Sequence, residues 1–157
     1  MSPAYRQILS KAKICARELG VYAPVKVLFA EDDQALADAL AKDLRCSARA
    51  SFDVQTTPME PAAAIVMEQC HDVYVFDAET GGAGGLEVVR AMHRAGLHFP
   101  FIVVSKEPGL HREAMGEDCM GYFQKPISGD LLAMALLDAV KNYSTRCVAG
   151  CAGETAS

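Results

Sequence analysis

Two apolar runs, Val73-Tyr74-Val75-Phe76 and Phe101-Ile102-Val103-Val104, carry no polar residue at alternate positions. A strand with one face in water alternates apolar and polar side chains, because successive residues point to opposite sides. A strand without alternation must be covered on both faces, as in parallel sheets flanked by helices. Val25–Ala30, with Val27, Leu28 and Phe29, is a third run of this kind. Whatever surrounds these segments has to supply two helical layers.

The intervening segments have the helical period this requires. Leu36, Ala37, Leu40, Ala41 and Leu44 share one face of a helix that Asp33 is placed to cap. Ser51–Thr56 alternates and reads as a second strand. Pro61 suits the first helical position of Ala62–Gln69. Gly81-Gly82-Ala83-Gly84-Gly85 reads as a loop, and Leu86–Ala95 as a helix stopped at Gly96. Leu110–Met115 is a short helix ending near Gly116, Gly121–Gln124 a fifth strand, and Asp130–Tyr143 a long last helix capped by Ser128. Strands alternating with helices imply right-handed βαβ crossovers and an α/β fold with a parallel sheet between helical layers. Ahead of this pattern, Tyr5, Ile8, Leu9, Ala12, Cys15, Ala16 and Leu19 recur at helical spacing. The expected organisation is an amphipathic helix in residues 1–22, one domain in 23–144 and a flexible tail in 145–157.

A formal net charge of −5 offers no broad positive surface, so nucleic acid is not an expected partner. No apolar stretch approaches the roughly 20 residues needed to span a bilayer, and no secretory signal opens the chain, so a cytoplasmic location is expected. Six scattered cysteines without a Cys-x-x-Cys pair then read as free thiols, and Cys147 and Cys151 have no histidine nearby to suggest a metal.

In open α/β sheets, ligands bind at the carboxyl ends of the strands. The first strand ends in Glu31-Asp32-Asp33, the third in Asp77, the fourth in Ser105 and the fifth in Lys125-Pro126. Each alone has a plain explanation: a cap, a turn or a surface charge. Together they place carboxylates, a hydroxyl and an ammonium on one edge. Glu31, Asp32 and Asp77 in a crevice would repel one another and suit a hard, oxygen-seeking cation such as Mg²⁺. Lys125 would pair with phosphoryl oxygens and Ser105 would donate to them. Phosphoryl transfer needs mostly positioning and charge neutralisation, and Asp77 is the nucleophile in the right place, through carboxylate attack.

The order and spacing of VLFAEDD at 27–33, VYVFDAETGGAGGLE at 73–87, FIVVSKE at 101–107 and GYFQKP at 121–126 resemble the receiver domains of bacterial two-component response regulators. The resemblance runs from about Val25 to Tyr143. It implies a flavodoxin-like (βα)5 three-layer sandwich with strand order 2-1-3-4-5. It also implies that Glu31 and Asp32 are the acidic pair for Mg²⁺ (or Mn²⁺), with the backbone carbonyl of Glu79 as a further ligand. Asp77 would accept the phosphoryl group, Ser105 would be the switch hydroxyl, Lys125 the phosphate-pairing lysine and Tyr122 the switch aromatic. Gly85 would open the third helix, and a sensor histidine kinase or phosphotransfer protein would be the phosphodonor. The domain would catalyse nothing beyond its own phosphorylation and dephosphorylation. Thr80-Gly81 stands where receivers commonly carry Leu-Pro, and the Lys106–Met120 segment is short, so a stunted fourth helix is expected.

Two other readings remain open at this point. One is a receiver-like docking module that works without phosphorylation. The other is a haloacid-dehalogenase-type phosphatase, suggested by Asp77-Ala78-Glu79-Thr80, although its acidic pair belongs after the lysine and here stands at 31–32. The residues after the last helix are too few for an effector domain, so the expected output is contact with a downstream protein. Residues 4–19 are expected to pack on the domain, or to dimerise or dock through their apolar face. His71, His93, His98 and His111 show no ligand spacing.

Overall fold

The computed structural model describes residues 24–68, 70–79 and 84–153, with side chains described as far as Tyr143. The expected N-terminal helix, Gly81–Ala83 of the glycine loop and the side chains of Cys147 and Cys151 lie outside the described residues. Five strands, β1 (Val25–Ala30), β2 (Phe52–Thr57), β3 (Val73–Asp77), β4 (Phe101–Ser105) and β5 (Tyr122–Gln124), form one sheet in the order β2-β1-β3-β4-β5. Every pairing is parallel. The helices are α1 (Gln34–Arg45), α2 (Ala62–Glu68), α3 (Gly85–Arg94), α4 (His111–Gly116) and α5 (Gly129–Gly153).

Every residue of β3 and β4 is buried, and β1 is buried apart from Lys26. Their side chains still alternate between faces, but both faces are apolar. Val27, Phe29, Val73, Val75, Ile102 and Val104 pack with Leu40, Leu44, Leu132 and Leu136, from α1 and α5. Leu28, Tyr74, Phe76, Phe101 and Val103 pack on the other side with Val66, Leu86, Val89 and Leu110. Burying one such side chain contributes about 1.5–3 kcal/mol, so the central strands fix the layer order. Edge strand β2 alternates as the sequence predicts.

The capping expectations hold. Asp33 accepts from Leu36 N–H at 3.1 Å, and Ser128 Oγ accepts from Leu131 N–H at 3.1 Å. Gly96, just past α3, has a φ of +78°, a conformation glycine adopts without steric cost. The short fourth helix is also present: a 3-10 turn at Pro108–Leu110 leads into the six residues of α4. One boundary is corrected. The last helix does not end at Tyr143 but continues to Gly153, through much of the segment read as a tail. Residues 144–153 contain no proline, and adding a residue to an existing helix requires no new nucleation. Among the described residues, no helix is long and apolar enough to cross a membrane.

Candidate functional site

The parallel ladder continues one residue past several strands, and this sets the geometry of the carboxyl edge. Glu31 N–H donates to the Thr57 carbonyl at 3.0 Å, Ala78 N–H to Val104 at 3.3 Å and Lys125 N–H to Ser105 at 2.8 Å. Glu31, Asp77, Ser105 and Lys125 therefore stand at one level. The Lys125–Pro126 peptide is cis.

Lys125 lies between two carboxylates. Its Nζ is 2.6 Å from Glu31 Oε2 and 2.8 Å from Asp77 Oδ1, and all three side chains are largely removed from water. One ammonium against two carboxylates leaves a negative charge in excess. Burial pushes the Asp77 carboxyl above its usual range; Glu31 and Glu79 add to the rise and Lys125 opposes it. For Lys125 burial acts to lower the value, but hydrogen bonds and attraction from Asp77 and Glu31 outweigh it, and the net shift is upward. Glu31 Oε1 also accepts from Asp33 N–H at 3.0 Å, which holds its carboxylate in place.

Ser105 is fully buried. Its hydroxyl donates to the carbonyl of Ala78, next to Asp77, and accepts from Glu107 N–H at 3.0 Å. The Glu107 carbonyl in turn accepts from the hydroxyl of Tyr122. Tyr122 is half-buried and meets the His111 ring edge-on, with 5.3 Å between centroids. The backbone of one residue, Glu107, thus joins the expected switch hydroxyl to the expected switch aromatic through its N–H and its carbonyl. Sequence reasoning missed Glu107 in this role, because backbone groups leave no signature in residue type.

The structure brings Glu31, Asp77, Ser105 and Lys125 together but leaves Asp32 apart. Asp32 is exposed, and its Oδ1 accepts from Met59 N–H at 2.8 Å. Glu79 is exposed at the rim. Among the described residues, no three carboxylate, imidazole or thiol side chains converge as a ready-made metal cage. The donor chemistry nevertheless suits a hard divalent ion: the atoms that would hold it are oxygens, and the buried pair carries more negative charge than Lys125 neutralises.

The sequence matches the family model of the response regulator receiver domain over residues 27–137. No match is found among curated proteins. Solved structures share the fold. A LuxR-family DNA-binding response regulator from Staphylococcus aureus is similar at 24% identity and a TM-score of 0.64, covering 74% of this chain and 98% of its own. The signal receiver domain of a response regulator NarL from Mycobacterium tuberculosis gives 20% identity and 0.65, covering 75% and 97%. The receiver domain of a Luxo repressor protein from Vibrio parahaemolyticus gives 15% and 0.69, covering 81% and 98%.

Proposed function

From the premise that the chain belongs to the response regulator receiver family, we propose that it is a phosphorylation-dependent signalling switch whose acceptor is Asp77. The observation that supports this most directly is the ion triad, with Lys125 Nζ within 2.8 Å of both Asp77 and Glu31 at the carboxyl edge of the sheet. A carboxylate held there by a lysine has its attacking oxygen positioned and a cation beside it for the incoming phosphoryl oxygens.

In this reading the donor is a phosphohistidine of a sensor kinase or phosphotransfer protein. A carboxylate oxygen of Asp77 forms the new O–P bond as the N–P bond breaks. The electron pair of that bond stays on the leaving imidazole, which takes up a proton. Lys125 pairs with the transferred phosphoryl group. Glu31, Asp32, Asp77 and the Glu79 carbonyl would hold Mg²⁺, which neutralises charge on the phosphoryl oxygens when bound. Ser105 donates its hydroxyl to the acyl phosphate and gives up the Ala78 carbonyl. That loosens the Ser105–Glu107–Tyr122 linkage and shifts a surface between two states for a downstream protein.

The test is incubation with acetyl phosphate and Mg²⁺ followed by intact-mass measurement. We expect one phosphoryl adduct on the wild type and none on Asp77→Asn. An adduct that persists in the variant excludes Asp77 as acceptor. No adduct on either favours a docking module that works without phosphorylation.

A further inference from the structure

Asp32 and Glu31 are both tied to the end of β2, but by different means. Glu31 uses its backbone N–H, which donates to the Thr57 carbonyl at 3.0 Å. That bond survives whatever the Glu31 side chain does. Asp32 uses its carboxylate, whose Oδ1 accepts from Met59 N–H at 2.8 Å. Met59 is the hub of the β2–α2 connection. Its side chain is buried in the core layer beneath α2 and α3, and its carbonyl accepts from the N–H of Ala62, the first residue of α2, at 3.1 Å.

We propose that Asp32 is shared between a divalent cation and the Met59 amide, so that loading the acidic site releases the β2–α2 connection and unloading it locks that connection again. The proposal rests on the reading of Glu31, Asp32 and Asp77 as metal ligands. A Mg²⁺ ion requires near-octahedral placement of its oxygens and tolerates little misalignment. In the proposal the Asp32 carboxylate turns off the Met59 amide to meet that demand, although only its Oδ1 is held there. Asp32 is exposed, so water can take its place on the Met59 N–H when it turns.

Amide exchange on the full chain, labelled with nitrogen-15 and titrated with magnesium chloride, tests this. The Met59 resonance should follow the same saturation curve as the amides of Glu31 and Asp77. Its hydrogen exchange should accelerate about tenfold or more at saturation, as expected when a bond to a charged acceptor is given up. Asp32→Asn keeps an oxygen for the amide but carries no charge. It should hold Met59 exchange slow at every Mg²⁺ concentration and weaken Mg²⁺ binding about tenfold or more. Saturation at Glu31 and Asp77 with Met59 exchange unchanged overturns the sharing and leaves the metal reading intact. No response at Glu31 or Asp77 overturns the metal reading, and the sharing with it.

Discussion

Asp77 is held in a position that costs the fold something. Its carboxyl is raised above the ordinary 3.8 chiefly by burial, then by Glu31 and Glu79, with Lys125 opposing. An acid with a raised value binds its proton more tightly in the folded chain than in the unfolded one. Its contribution to stability is therefore fullest below 3.8 and is lost as pH rises through the raised value. Asp77→Asn removes the buried charge and leaves Lys125 paired with Glu31. We expect it to raise the melting temperature at neutral pH by roughly 2–4 °C, equivalent to about 1 kcal/mol. The gain should shrink as pH falls toward the carboxylate range, and thermal melts between about pH 4 and pH 8 check both features. The sequence made the residue types of this site legible, because an acid, a hydroxyl and a lysine each stand at the end of a different strand. It did not show the partners. Glu31 and Asp32 are adjacent carboxylates with similar chemistry, yet one turns inward to Lys125 and the other outward to Met59. That division falls where the strand ends: Glu31 still donates to the Thr57 carbonyl of the ladder, whereas Asp32 stands in the bend that follows.

Among the elements, the start of α3 is the tightest fit to the site. A Cβ on Gly85 would lie 2.5 Å from the Asp77 carbonyl oxygen and 2.5 Å from Phe76 Cβ. Alanine gains at most about 1 kcal/mol over glycine inside a helix, and less at its first residue. Overpacking against backbone costs typically about 1–3 kcal/mol, so the clash wins. Gly85→Ala should lower the melting temperature by several degrees, about 2–4 °C for each kcal/mol lost, and slow phosphorylation of Asp77 by displacing the strand end. Calorimetry and the acetyl phosphate assay read the two effects separately. The brevity of α4 is matched by side-chain ties to α3. Arg90 reaches Glu113 at 3.0 Å and Glu117 at 3.2 Å, with Glu87 at 2.6 Å on its own helix. Elements were legible where two-sided burial or a cap left a pattern. The end of α5 was not, since small residues such as those at 144–153 read equally as tail or helix.

For the molecule as a whole, the sheet begins at Val25 and the family match at residue 27, and the expectation from these starting points is a domain that folds without residues 1–22. A chain lacking residues 1–22 should fold and still take phosphate on Asp77. If the amphipathic stripe over residues 4–19 pairs copies of the chain, the truncated form should be smaller in solution, which light scattering after gel filtration measures. At Glu107 the backbone spans the site, its N–H meeting Ser105 and its carbonyl meeting Tyr122. An alanine scan would pass over this position, because every replacement except proline keeps both groups. Variation among related chains is therefore free to retune the charge beside the site at residue 107 without cutting the connection that runs through it.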